Sequence, residues 1–202
     1  MYLVTDRGLA GDRNIEDIVR MSVEGGATMV QLREKSIGTR EFIELALRLK
    51  KALEPYAVPL IINDRVDVAM ASGADGVHIG QSDMPYAMAR RLLGPDKIIG
   101  LSVEDFSQIE EANLLDVDYI GVSPVFSTPT KTDTAAPFGL DGLRKAVAMS
   151  VHPAVAIGGM NLSTAAAVIR TGVDGIAVVS AIVCAADPCK ASQELIETME
   201  KA

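Results

Sequence analysis

Amide and basic side chains occupy alternate positions in a short segment near the N-terminus. Gln31, Arg33 and Lys35 would all point to the same side of an extended chain, and the apolar residues between them would point to the other. Arginine can bind a phosphate group through two parallel hydrogen bonds, and lysine supplies a compact positive charge. We therefore expect these charges to face a site rather than bulk solvent.

Further polar residues and glycines stand at the ends of other short apolar runs. By the same alternation, Asn63, His78 and Ser102 point to the side that carries Gln31 and Arg33. Gly100 and Gly121 also fall on that side. Together these positions predict a ring of polar groups and open space at one end of a sheet.

Two later segments have the composition of phosphate-binding loops. The stretch 123–138 contains several hydroxyl residues around Lys131, which fits a lid that holds an anion, although a mobile surface loop is the alternative. Gly158 and Gly159 end one apolar run, and Ser180 ends another. Glycine lets a phosphate approach backbone N–H groups closely. We therefore expect a phosphorylated small molecule as ligand.

The elements that must position these residues alternate between strand and helix along the whole chain. Amphipathic stretches such as 41–54 separate the apolar runs, and this alternation is typical of a parallel sheet covered by helices. The sequence predicts an α/β fold, an eight-stranded parallel (β/α)8 TIM barrel, as a single domain over residues 1–202. A doubly wound open sheet is disfavoured because no G-x-G-x-x-G pattern follows the first run. The predicted strands are 2–5, 29–33, 60–63, 76–80, 98–102, 119–123, 154–158 and 175–180.

A short internal repeat supports the barrel. It recurs before every second strand, as expected of paired βα units, and its glycines suit the left-handed position after a helix. The copies are Gly26-Ala27-Thr28, Gly73-Ala74-Asp75 and Gly172-Val173-Asp174, with a weaker one at Asp116-Val117-Asp118.

Composition limits the classes of partner. The net charge of −8 disfavours nucleic acid and an anionic membrane surface, and no stretch is apolar for long enough to span a bilayer. No basic leader precedes the first strand, and the two cysteines form no metal-binding or disulfide pattern. We expect a cytoplasmic enzyme with reduced thiols; the oligomeric state is not indicated.

In order along the chain, these residues resemble the thiamine phosphate synthase family, and the resemblance covers nearly all of it. The matching segments are Tyr2-Leu3-Val4-Thr5-Asp6, Gln31-Leu32-Arg33-Glu34-Lys35, Asn63-Asp64-Arg65, Gly76-Val77-His78-Ile79-Gly80-Gln81-Ser82-Asp83, Gly100-Leu101-Ser102, Gly121-Val122-Ser123-Pro124-Val125-Phe126, Thr128-Pro129-Thr130-Lys131, Ile157-Gly158-Gly159 and Val179-Ser180-Ala181-Ile182.

The resemblance implies a transferase that joins hydroxymethylpyrimidine diphosphate to hydroxyethylthiazole phosphate, with Mg²⁺, and releases pyrophosphate. It makes Asp64 and Asp83 the metal ligands, and Gln31 a contact of the pyrimidine or the diphosphate. It implies that the catalytic residues are Arg33, Lys35, Ser102 and Lys131, with Asn63 as a further diphosphate ligand. The expected binding residues for the thiazole phosphate are Thr128, Thr130, Gly159, Val179 and Ser180.

Simpler roles remain open for three of these residues. Asp64 and Asp83 each stand where a helix N-cap is expected, and Ser102 could cap the helix that follows it.

Two other functions also remain open: a thiazole tautomerase-like isomerase and a non-catalytic sensor of a phosphorylated ligand. Glu104 departs from the family pattern, because relatives commonly carry histidine there. This puts any base at that position in doubt.

Overall fold

Eight parallel strands form a closed barrel in the computed structural model, which describes residues 1–127 and 136–202. Each strand pairs with the next along the chain, and the last pairs with the first. This arrangement confirms the predicted TIM barrel. The strands are β1 (Tyr2–Val4), β2 (Met29–Leu32), β3 (Leu60–Asn63), β4 (Gly76–Ile79), β5 (Ile98–Val103), β6 (Tyr119–Val122), β7 (Ala154–Ile157) and β8 (Gly175–Val178).

Helices follow the strands and cover the outside of the barrel. Amphipathic sequences form them: in α3 the buried side chains recur at helical spacing, at Phe42, Leu45 and Leu49 among others. The helices are α1 (Arg7–Ala10), α2 (Ile15–Glu24), α3 (Thr39–Leu53), α4 (Val66–Ser72), α5 (Tyr86–Leu93), α6 (Phe106–Ala112), α7 (Gly139–Met149), α8 (Leu162–Ile169), α9 (Ser180–Val183) and α10 (Pro188–Glu200), with a 3-10 turn at Glu54–Tyr56. None of those in the described residues is long and apolar enough to cross a membrane.

The apolar core has two parts. The larger one lies between the strands and the helices, where outward-facing strand residues such as Val30 and Leu32 are fully buried. A small cluster fills the barrel itself and contains Tyr2, Val4, Ile61, Tyr119 and Ala177. Most barrels fill this space with branched apolar residues. Two tyrosines in the interior place hydroxyl groups beneath the cavity at the barrel mouth.

The internal repeat ties the strands together at the opposite, N-terminal end. Asp75, Asp118 and Asp174 each accept a hydrogen bond from the backbone N–H at or next to the start of the preceding strand, at 2.8–2.9 Å. In the first copy, the Thr28 hydroxyl donates to the carbonyl of Met1 at 3.2 Å. The repeat therefore joins β3 to β4, β5 to β6 and β7 to β8, and holds the N-terminal residue beside β2.

The glycines of the repeat have the backbone conformation expected of them. Gly73 directly follows α4 in the left-handed conformation (φ 62°), and its N–H bonds back to the last turn of that helix. Gly26 and Gly172 also have positive φ. The prediction of left-handed glycines after helices is confirmed at these positions.

Candidate active site

A cavity of about 410 Å³ opens at the C-terminal ends of the strands, a volume typical of a site for a small ligand. All the predicted site residues that fall within the described part of the chain line this one cavity. They are Gln31, Arg33, Lys35, Asn63, Asp64, Asp83, Ser102, Gly159, Val179 and Ser180. Thr128, Thr130 and Lys131 lie outside the described residues.

The cationic side of the cavity comes from the end of β2. Arg33 is held by the two residues that follow β1: its backbone N–H donates to the Thr5 hydroxyl, and Nη1 lies 3.0 Å from Asp6 Oδ2. The other oxygen of Asp6 accepts from the Leu9 N–H and caps α1. One aspartate thus anchors both a helix and the guanidinium. Glu34, between the two cations, pairs instead with Arg7.

Two carboxylates lie beside the cations. Asp64 directly follows β3 with φ 61°, a left-handed conformation that is uncommon for a residue with a side chain, and its N–H donates to the His78 carbonyl at 2.8 Å. Its Oδ2 lies 2.6 Å from Lys35 Nζ. Asp83 Oδ2 accepts from the Gly80 N–H at 2.7 Å. Partial burial, together with the neighbouring Asp64, raises the pKa of Asp83 above its usual value.

The helix-cap alternative is wrong for all three residues. Helix α4 begins after Arg65 and α5 after Pro85, and neither helix has a side-chain cap. Asp105 caps α6 by accepting from the Gln108 N–H. Ser102 lies within β5. Asp64, Asp83 and Ser102 are therefore placed by strand ends and turns, with their side chains at the cavity.

Asp64 and Asp83 suit a hard divalent cation whose other ligands come from water or from a bound ligand. Carboxylate oxygens suit Mg²⁺, which usually keeps several waters and binds substrate phosphates. Within residues 1–127 and 136–202 there is no cluster of three or more potential ligand side chains among histidine, cysteine, aspartate and glutamate. The two aspartates could hold such an ion only together with oxygens from a ligand or water.

Glycines shape the side of the cavity formed by β7 and β8. Gly158 and Gly159 have φ of 103° and 73°, and a Cβ on Gly159 would lie 2.9 Å from the side chain of Phe126. Ser180 is the first residue of α9, directly after Val179. Positive φ and close packing both require glycine at this turn. The result is an open wall where backbone groups can reach a ligand.

The floor of the cavity holds His78, which strand alternation had placed on the inward side, and two tyrosines that sequence reasoning did not assign to the site. The Tyr2 and Tyr119 hydroxyls are 2.9 Å apart, and Tyr119 also lies 2.9 Å from His78 Nδ1. Burial raises the pKa of both tyrosines well above the ordinary value. The signal was available: Tyr119 shares the inward parity of Gly121 on its own strand.

Glu104, which the sequence resemblance marked as a departure from the family pattern, also lines the cavity and is half-buried. Its backbone N–H donates to Gln108 Oε1 at 2.8 Å, within the first turn of α6. The structure places this carboxylate one residue beyond the end of β5, at the rim rather than on the floor.

Comparison with known proteins finds relatives over nearly the whole chain. The family model described as thiamine monophosphate synthase matches residues 1–182. The chain is 52% identical over 200 residues to the thiamine-phosphate synthase of Albidiferax ferrireducens, covering 99% of this chain and 91% of that protein. It is also 52% identical to the thiamine-phosphate synthase of Vibrio parahaemolyticus, covering 99% and 98%.

Among solved structures, the thiamine phosphate pyrophosphorylase of Pyrococcus furiosus superposes with a TM-score of 0.91 at 42% identity, covering 99% of this chain and 95% of that one. A 3-hexulose-6-phosphate synthase, at 18% identity and a TM-score of 0.69, shares the fold. The chain belongs to the thiamine monophosphate synthase family.

Proposed function

We propose that this protein is a thiamine-phosphate synthase, which joins hydroxymethylpyrimidine diphosphate to hydroxyethylthiazole phosphate. The observation that carries the proposal is one cavity in which Arg33 and Lys35 stand beside Asp64 and Asp83, opposite the Gly158-Gly159 turn. A diphosphate fits the first group and a phosphate monoester the second. Relatives about half identical over the full chain carry the same name.

The bond changes require charge stabilisation rather than proton removal. The C–O bond between the pyrimidine methylene carbon and the diphosphate breaks, and both electrons leave with pyrophosphate. The lone pair of the thiazole nitrogen then forms the new C–N bond. Arg33 and Lys35 stabilise the departing negative charge, which grows in the transition state. Mg²⁺ held by Asp64 and Asp83 would neutralise part of the diphosphate charge.

The order of these changes is dissociative in our proposal. The aminopyrimidine can donate electrons to the carbon that loses the diphosphate, so a cationic intermediate is chemically reasonable. The cavity supplies positioning and an electrostatic environment for two ligands held side by side. The proposal includes Lys131, Thr128 and Thr130 as further residues that bind the substrates. It also places the enzyme in the cytoplasm.

The decisive experiment is pyrophosphate release by the purified protein with both substrates, as a function of Mg²⁺. A synthase releases pyrophosphate and forms thiamine phosphate in equal amounts. A tautomerase-like isomerase would convert a thiazole phosphate without the pyrimidine substrate, and a sensor would bind without turnover. Either of those outcomes would replace the synthase assignment.

A substituent test addresses the dissociative order. An electron-withdrawing group on the pyrimidine should slow single turnover by several orders of magnitude, because each ~1.4 kcal/mol of added barrier costs about tenfold. A concerted displacement is much less sensitive. A single-turnover rate within a few-fold of the normal substrate, at saturation, would rule out the dissociative order.

A further inference from the structure

Five polar side chains form one continuous line of hydrogen bonds across the barrel floor. Gln31 Nε2 donates to the Tyr2 hydroxyl at 2.8 Å, and the Tyr2 and Tyr119 hydroxyls are 2.9 Å apart. Tyr119 lies 2.9 Å from His78 Nδ1, and His78 Nε2 lies 2.8 Å from Ser102 Oγ. The members come from five different strands: β2, β1, β6, β4 and β5.

Each hydroxyl in this line has only one proton, so the line has a direction. The Tyr2 oxygen accepts from Gln31, and the Tyr2–Tyr119 bond can run either way; the direction that gives the buried Tyr2 proton an acceptor sends it to Tyr119. The Tyr119 proton then goes to His78 Nδ1, which must be the unprotonated ring nitrogen. This leaves the proton on His78 Nε2, which donates to Ser102 Oγ. Because burial raises the pKa of both tyrosines, they keep their protons at neutral pH.

Two glycines give the line the space that it needs. A Cβ on Gly100 would lie 2.5 Å from His78 Nδ1 and would overlap the ring of Tyr119. A Cβ on Gly121 would lie 3.0 Å from His78 Cε1. Neither glycine has the positive φ that would require glycine for backbone reasons. Their small size instead admits the His78 and Tyr119 rings, which stack with centroids 5.5 Å apart.

We propose that Tyr119 is a positioning residue that acts through His78 on Ser102. By donating to Nδ1, it holds His78 in the tautomer protonated at Nε2, and so leaves the Ser102 Oγ proton to point at the ligand. Ser102 therefore presents a hydrogen-bond donor to an acceptor atom of the bound heterocycle. The identity of that heterocycle, the pyrimidine half, rests on the proposed function; the proton arrangement does not.

The tautomer can be measured directly. The chain has two histidines, so ¹⁵N-histidine labelling with a His152→Gln variant for assignment isolates the signals of His78. The wild-type protein should show a protonated Nε2 and an unprotonated Nδ1. Tyr119→Phe keeps the ring and removes the hydroxyl, so it should no longer hold His78 in the single tautomer protonated at Nε2. Tyr56→Phe, whose hydroxyl contacts Glu24 away from the cavity, is the matched control and should not change it.

Kinetics test the link to Ser102. Tyr119→Phe should lower kcat/KM for the pyrimidine substrate by roughly 10-fold, as for one lost hydrogen bond. In a Ser102→Ala background the same change should not lower kcat/KM any further, because Tyr119 acts on the ligand only through His78 and Ser102.

A wild-type His78 protonated at Nδ1 would overturn the proposal. The proposal would also be overturned if the loss of kcat/KM in the double variant equalled the product of the losses in the Tyr119→Phe and Ser102→Ala single variants. If the wild-type protein releases no pyrophosphate, the synthase assignment fails, and the NMR measurement still decides the tautomer.

Discussion

At the scale of single residues, the candidate site is a set of charges that hold one another in place. Lys35 pairs with Asp64, and Arg33 pairs with Asp6. Such partners restrict the side chains before a ligand arrives, so less conformational entropy is lost on binding. Ligand oxygens can then replace or join these contacts.

The two carboxylates give the first prediction. Asp64→Asn and Asp83→Asn should each raise the Mg²⁺ concentration needed for half-maximal pyrophosphate release, because each change removes a charged ligand from a site with few. Asp67→Asn is the matched control, since Asp67 pairs with Arg65 and does not line the cavity. Magnesium titrations of activity make the comparison. An unchanged requirement in both site variants would remove the metal assignment.

Arg33→Lys gives the second prediction. Lysine keeps the charge but cannot form two parallel hydrogen bonds to a diphosphate. We expect kcat/KM to fall by about 10-fold or more, as for one charge-assisted hydrogen bond of about 1.5 kcal/mol. Arg65→Lys, which alters a surface ion pair, should leave kcat/KM unchanged. Equal rates for Arg33→Lys and the wild-type protein would show that charge alone matters at this position.

At the scale of elements, we expect the internal repeat to contribute to stability and not to catalysis. The aspartates of the repeat lie at the N-terminal end of the barrel, and the cavity is at the other end. The general division in this fold puts stability at the first end and catalysis at the second. Changes in the repeat should therefore affect unfolding and leave the kinetic constants alone.

Asp174→Ala tests this division. It removes the acceptor of the Ala154 N–H and should lower the free energy of unfolding by about 1–2 kcal/mol, a fall in Tm on the order of 2–8 °C. Asp174→Asn keeps an acceptor oxygen and should retain most of the stability. Denaturant unfolding and steady-state kinetics of both variants provide the measurements. A changed KM with unchanged stability would contradict the division.

At the scale of the whole molecule, the barrel holds two ligand regions in one cavity. Strands β2 to β4 supply the cations and carboxylates, and β7 and β8 supply the glycine turn and Ser180. A closed barrel brings the ends of distant segments to one mouth. The two substrates can therefore bind side by side while contacting different strands.

Ser180→Arg tests the separation of these regions. A large side chain at the start of α9 should weaken binding of the thiazole phosphate by roughly 10-fold or more, because it fills the open wall of the cavity, and should spare the pyrimidine diphosphate. Gln193→Arg, on the exposed face of α10, is the control. Calorimetric titration of each substrate alone separates the two outcomes. Equal loss of both ligands would mean that the regions overlap.

The sequence by itself determined the strands, the barrel and most of the cavity lining. Period-two alternation sets the side of a strand on which each residue lies, so the inward positions of Gln31, Asn63 and Ser102 could be read locally. The repeat could be found in the same way, because each copy is three consecutive residues. These features depend on spacing within one segment.

Only the tertiary structure decided which side chains meet across the barrel. Tyr2 and Tyr119 are 117 positions apart, and their contact depends on the register of all the strands between them. The same holds for Lys35 with Asp64, where an ion pair replaced the helix cap that local sequence suggested. Closure and strand stagger set these distances, and no local pattern encodes them. The hydrogen-bonded floor of the site is therefore a property of the closed barrel.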